Sequence, residues 1–264
     1  MLPGVYPSQK KDGTLYYRAH IHYKNKHISL GSYRSEKIAG DAYLEALELL
    51  NGNSPFDSFI LLDFTLSFEK VVVLCNFRDN GIYIKTPIYL RNNYFSYYLN
   101  QTEELKFDID DLFFYSQHKI IRRGGHLFVS EYGMQTSLYS RYGIRSHSVA
   151  GRDFTFANGD STDWRYSNII VINPYHGVTK TSKNGISCYK TKIHINGNYL
   201  IGTYPTAEIA AIAYNKAVDF AKASGIQKKF PENYLEEFSA EEYANLYTQI
   251  KISARYLEYL KTLS

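Results

Sequence analysis

Ile201-Gly202-Thr203-Tyr204-Pro205-Thr206-Ala207-Glu208-Ile209-Ala210-Ala211-Ile212-Ala213-Tyr214 reads as the end of a strand, a corner and the start of a helix. Gly202 marks the corner, Thr206 has the side chain of a helix N-cap, and alanines follow at helical density. Near the other end of the chain, Leu30-Gly31-Ser32-Tyr33, then Ser35, then Ile38-Ala39-Gly40-Asp41-Ala42-Tyr43 writes the same pattern again. The likeness extends upstream. Gly4-Val5-Tyr6 matches Gly177-Val178-Thr179, Gly13 matches Gly185, and Tyr17-Arg18-Ala19-His20-Ile21-His22 matches Tyr189-Lys190-Thr191-Lys192-Ile193-His194. The separation is 173 residues at Gly4/Gly177, 172 at Tyr17/Tyr189 and 171 at Gly31/Gly202. Each one-residue change falls in an expected turn, where a duplicated fold absorbs length change.

Within each copy the residues alternate. Ala19, Ile21 and Tyr23 share one side of a strand, against Arg18, His20 and His22; Thr191, Ile193 and Ile195 oppose Lys190, Lys192 and His194. Period two predicts a sheet with one buried face. Lys24-Asn25-Lys26 and Asn196-Gly197-Asn198 have hairpin chemistry. The third strands are expected over 27–30 and 198–201, with Gly31 and Gly202 at bends before the helix. Ile38, Ala42 and Ala46, or Ile209, Ala213 and Ala217, form the stripe expected to cover the sheet. The other face is left open and carries basic and imidazole groups.

The 264 residues are 44% hydrophobic and 21% charged, a globular balance, and tyrosine dominates the aromatics. Cys75 and Cys188 fit no zinc spacing, which predicts a reduced cytosolic protein. Met1-Leu2-Pro3-Gly4 lacks the regions of a signal peptide, and no apolar run is long enough to span a membrane. Positive charge collects at the ends. Residues 1–50 hold seven Lys/Arg against five Asp/Glu, and 176–226 hold six against two, whereas 51–175 hold twelve against thirteen and 227–264 five against six. Two basic ends on a neutral middle are where a polyanion would dock.

The combined motif, about fifty residues at each end, resembles the plant ethylene-response-factor (Apetala-two type) DNA-binding domain. The resemblance implies a three-stranded sheet whose open face lies in the major groove of DNA. Positions matching that family's contacts are Tyr6, Ser8, His20, His22, His27 and Ser29 in the first copy, with Arg18 beside them. In the second they are Thr179, Thr181, Lys192, His194, Asn198 and Leu200, with Lys180 and Lys190. The family favours arginine and tryptophan at several of these places, so its target sequence is not expected here. Duplex DNA is favoured over RNA because a sheet fits the wide major groove, and the paired aromatics of RNA-reading sheets are missing.

The middle is expected to be a mixed α+β domain, with strands over 59–66, 71–77 and 81–90. Glu103-Glu104 and Asp108-Ile109-Asp110-Asp111 form an acidic stretch, read as a solvated loop, and Lys119 to Gly125 a basic turn. Asn158-Gly159-Asp160-Ser161-Thr162-Asp163-Trp164-Arg165-Tyr166-Ser167-Asn168-Ile169 resembles the second half of an HNH endonuclease motif. Proteins joining such a segment to this DNA-binding module form a homing-endonuclease-like group. The resemblance places Thr155-Phe156 at the motif's Asp-His pair and Tyr139 at its earlier histidine. An HNH site needs a histidine to activate water and an Asp/His set for one divalent cation, and phenylalanine supplies neither. His126, His147 and Asp153 lie close enough in sequence to rebuild a site but read as ordinary surface or satisfied groups. No catalytic residue, metal or cofactor is therefore expected.

The expected organisation is α+β: modules over 1–50 and 176–226, a central domain of degenerate HNH type over 51–175, and a helical extension over 227–264. In that extension Ser239 and Glu242 form a capping box, and Tyr243, Leu246, Tyr247, Ile250, Leu257 and Leu260 make one apolar stripe, expected to dock on the same chain. The function expected is non-catalytic binding of double-stranded DNA, in the cytoplasm on a nucleoid or in a phage-infected host. Two alternatives stay open. One is a metal-dependent HNH endonuclease with a rebuilt site. The other is a phage or mobile-element inhibitor that binds a host or defence protein or nucleoprotein. No membrane partner is expected, and the oligomeric state is open.

Overall fold

Described from a computed structural model over residues 2–131, 133–145 and 148–263, the chain is mixed α+β, with small antiparallel sheets and six α-helices among the described residues. It divides into two compact units: Met1–Leu138 with Asn158–Asn168, and Tyr139–Ala157 with Ile169–Ser264.

The first unit opens with β1 (Val5–Gln9), β2 (Leu15–Tyr23) and β3 (Lys26–Tyr33), in that order in one antiparallel sheet, followed by α1 (Glu36–Asn51). Lys24 and Asn25 both take positive φ, the backbone of a two-residue hairpin turn. Ser35 caps α1 by accepting the Ile38 N–H, a contact worth about 1 kcal/mol. Of the stripe expected on α1, Ala42 and Ala46 are buried and Ile38 is not. Ile38 is 41% exposed, and Ala39, Ala42, Ala46, Leu49 and Leu50 go inside.

The same core takes in α2 (Phe68–Asn80), whose Val71 to Phe77 are buried without a break. That stretch was expected to be a strand. Three successive valines favour strand, but burial on every side removes the periodic signal and the caps decide. Ser67 accepts the Lys70 N–H at one end, and Gly81 closes the other at φ +73°. The strand expected over 59–66 is a short 3-10 turn (Phe56–Phe59) followed by irregular chain. Only Ile88–Leu90 of the third expected strand pairs, as β4.

β4 joins β5 (Tyr94–Asn100) and β6 (Glu103–Asp108) in a second sheet. The acidic stretch is thus partly strand: Glu103 and Glu104 pair with Asn100 and Tyr98. α3 (Leu112–Gln117) leads to a third sheet of β7 (Ile120–Arg123), β8 (His126–Glu131) and β9 (Met134–Ser137). The basic turn is the hairpin Gly124-Gly125 between β7 and β8.

In the second unit, β10 (Phe154–Phe156) pairs with β11 (Ile169–Val171). β12 (Val178–Lys183), β13 (Ile186–His194) and β14 (Asn198–Tyr204) form the second module's sheet, and α4 (Ala207–Ala223) covers it. Thr206 accepts the Ile209 N–H as N-cap, and Ala210, Ala213 and Ala217 are fully buried. Two further helices, α5 (Ala240–Gln249) and α6 (Ala254–Lys261), replace the single stripe expected. The capping box at Ser239 and Glu242 is present. Tyr243, Leu246, Tyr247, Ile250, Leu257 and Leu260 all join the core of α4.

The repeat is geometric as well as sequential. Val5 pairs with Ala19 and Val178 with Thr191; Ala19 faces Gly31 and Thr191 faces Gly202. Each sheet then slips by one residue at the same place, after Ala19 and after Thr191. The extra residue is Leu30 in one and Ile201 in the other, both buried. The strands therefore run on past the glycines to Tyr33 and Tyr204, where bends had been expected. A bulge lets the strand change direction without giving up its ladder.

Gly4 and Gly177 are equivalent for a steric reason. Both lie at positive φ, +69° and +73°. A Cβ at Gly4 would stand 2.3 Å from Tyr43 Cδ2 and 2.5 Å from the His20 carbonyl oxygen; at Gly177 the distances are 2.2 Å to Tyr214 Cδ2 and 2.6 Å to the Lys192 carbonyl oxygen. The carbonyls of these glycines accept the His20 and Lys192 N–H groups at 2.9 and 2.8 Å.

Candidate nucleic-acid interface

Antiparallel register fixes which side chains share a face. In the first module Tyr6 pairs with Arg18, Ser8 with Tyr16, His20 with Ser29 and His22 with His27. Every residue expected on this open face is on it, opposite the helix. Tyr16 belongs there too, as the neighbour two residues from Arg18. The Arg18 guanidinium donates to the Tyr16 hydroxyl at 2.7 Å. Three imidazoles crowd the centre: His20 stacks on His27 at 4.7 Å between ring centroids, and His22 lies 4.6 Å from His27. Tyr6 approaches His20 edge-on. Partial burial, then the nearby His27, Arg18 and His22, hold the His20 pKa below its ordinary value.

In the second module Thr179 pairs with Lys190, Thr181 with Cys188, Lys192 with Leu200 and His194 with Asn198. His194 Nδ1 and Asn198 Oδ1 are 3.1 Å apart. Lys180 departs from expectation: it pairs with Tyr189 and so lies on the helix-side face, one step out of phase with Thr179 and Thr181. Lys183 and Cys188 share the open face and had been passed over, although alternation from Thr179 and Lys190 would have found both. Thr191 faces the other way, and its buried hydroxyl donates to the Ala210 carbonyl at 2.8 Å.

The HNH-like stretch has its own chemistry. Asn168 is buried; its Oδ1 accepts the Asn158 N–H at 2.8 Å and its Nδ2 donates to the Asp163 carbonyl at 2.9 Å. Asp163 is buried against Arg165 at 2.6 Å, and that pairing holds its carboxyl below the usual range. Asp160 accepts from Thr162 and pairs with Lys106 at 3.2 Å, again with a lowered pKa, Thr162 being the main cause. These polar groups bond to one another and to Lys106 and so close the loop. Lys106 accepts the Trp164 N–H and donates its own N–H to the Thr162 carbonyl, which fixes the loop beside β6.

At the positions matched to nuclease histidines, Tyr139 lies edge-on to Phe154 at 5.2 Å, and Phe154 contacts Phe156 at 5.6 Å. His126 is an exposed residue of the first unit and Asp153 a buried one of the second, while His147 lies outside the described residues. Among the described residues no group of three His, Cys, Asp or Glu side chains is placed to hold a metal ion. No helix among them is long and apolar enough to cross a membrane.

Comparison with family models, with curated proteins and with solved structures finds no match to this chain.

Proposed function

We propose that this chain is a non-catalytic double-stranded DNA-binding protein that reads the duplex with the open sheet faces of its two modules, on a scaffold descended from an HNH homing-endonuclease-like ancestor. The observation that carries the reading is the repeat itself. Two sheets share register, bulge and covering helix, and each leaves bare the face that gathers basic, imidazole and hydroxyl groups. A scaffold kept twice with the same face uncovered suits a ligand that presents the same surface repeatedly, as duplex DNA does. Two modules on one chain raise each other's effective concentration on such a ligand when their faces can engage together.

Lysine stays charged at neutral pH, so Lys190 and Lys192 make the second module the main source of phosphate attraction. The test is duplex binding by the full chain across a salt series. Lys190→Ala with Lys192→Ala is expected to weaken binding and to flatten the slope of log K against log salt by about one to two. His20→Ala with His22→Ala is expected to weaken binding less than the lysine pair does. Binding at low salt that ignores both double variants would overturn the assignment of the sheet faces.

A further inference from the structure

A cleft of about 220 Å³ opens in the second unit, between Arg145, the irregular residues 148–153 and the edge of the second module's open face. It is roughly seven times the ~30 Å³ share of one water in the liquid. Three cationic side chains line it, Arg145, Arg152 and Lys192, together with His194. Asp153 is the one carboxylate in the lining, and it is already engaged: it accepts the Val149 N–H at 2.8 Å and pairs with Arg152 at 2.7 Å. Arg152 and Asp153 therefore offset each other, and Arg145 and Lys192 remain as excess positive charge.

Arg145 is half-buried, yet no carboxylate among the described residues pairs with it. Its Nη2 donates to Asn233 Oδ1 at 2.8 Å. Asn233 is buried and is itself fixed: its Oδ1 also accepts the His176 N–H, its Nδ2 donates to the His176 carbonyl, and its backbone N–H donates to Asn215 Oδ1. The guanidinium is thus aimed by the core, with its remaining donors uncommitted to any counter-charge among the described residues. Holding a charge out of water without a partner is costly, and a planar guanidinium fork matches the oxygens of a phosphate.

We propose that this cleft is a phosphate-binding site, taking one phosphodiester of the duplex backbone between Arg145 and Lys192. The inference deepens the proposed function and rests on it for the source of the phosphate. It gives Arg145 and the residues at 148–153 a task, that of an anion clamp at the border of the DNA-facing sheet.

The test uses the full chain. Inorganic phosphate is titrated and followed by calorimetry, and labelled duplex binding is measured against salt. The expected result is one phosphate site that is weakened at least tenfold in Arg145→Gln and partly restored in Arg145→Lys. The duplex salt slope should fall by about 0.9 in Arg145→Gln, the value for one phosphate. Arg123→Gln, which removes an exposed charge elsewhere, should change neither. Should Arg145→Gln unfold by circular dichroism, Lys192→Gln on the exposed sheet takes its place with the same expectation. A phosphate site unaffected by these variants, or no phosphate site together with an unchanged duplex slope, overturns the clamp and leaves the DNA reading intact. A phosphate site lost in Arg145→Gln in a protein that binds no duplex supports the clamp and overturns the DNA reading.

Discussion

Gly177→Ala isolates the contact on which the second module's sheet and helix close. The substitution has two costs. An alanine at φ +73° loses about 1–2 kcal/mol to the left-handed backbone. Its Cβ would also lie 2.2 Å from Tyr214 and 2.6 Å from the Lys192 carbonyl oxygen, and relieving that overlap in a packed core costs about 1–3 kcal/mol more. The expected loss is about 2–5 kcal/mol. Gly185 provides the control, since it has φ +78° and nothing lies within 4 Å of where a methyl group would stand; Gly185→Ala should lose only the backbone part. At about 4 °C per kcal/mol, the two variants should differ by roughly 4–12 °C in thermal midpoint. Gly4→Ala against Gly13→Ala repeats the comparison in the first module, where Tyr43 and the His20 carbonyl oxygen stand in the way at Gly4 and only the tip of Gln9 lies near Gly13. Equal losses for Gly177→Ala and Gly185→Ala would refute the steric argument.

Ala213→Leu should destabilise by about 1–3 kcal/mol in chemical denaturation, because a fully buried alanine has no room for the larger side chain, while Ile38→Ala on the exposed side of α1 should fall well short of a buried Ile→Ala loss. His20, with its pKa held below the unfolded value of 6.5, resists protonation in the fold; stability is unaffected above about pH 6.5 and falls as the pH drops below it, since the unfolded chain then binds more protons. His20→Gln should flatten that fall in a pH series of urea melts. Duplex DNA is expected to stay intact with Mg²⁺ or Mn²⁺, as followed on gels, because Tyr139 and Phe156 stand where the HNH resemblance requires histidine; metal-dependent nicking lost in Asn168→Ala would reverse that expectation.

The modules were legible because their signals are local. Alternation about Ile21 and Ile193, hairpin residues and N-caps each lie within a few positions of what they control. Of the stripe expected on α1, Ala42 and Ala46 are buried and only Ile38 is not, because a large apolar Ile38 outweighs the small Ala39 beside it in any hydrophobic reading. α2 was misread for the opposite reason: a helix buried all round has no polar face, and only Ser67 and Gly81 betrayed it. Of the candidate interface, Lys180 falls on the helix-side face because the pleat sends sequence neighbours to opposite faces. Arg145 and Arg152 carry no periodic or motif signal at all. Their meaning comes from Asn233, eighty-eight residues on from Arg145, and from a sheet edge still further along the chain than His176.

The chain leaves the first unit after Leu138, returns to it for Asn158–Asn168 and departs again. Neither unit is therefore an uninterrupted length of polypeptide. During synthesis the first cannot be complete until its closing loop, with Trp164 and Asn168, has emerged, by which time the opening piece of the second is already outside the ribosome. A protease cut at any single bond between 139 and 168 leaves one fragment owing a segment to the other. Residues 1–138 expressed alone would end before the loop that pairs with Lys106 and Asp108, so complementation by two overlapping fragments, not simple truncation, is the way to divide this protein.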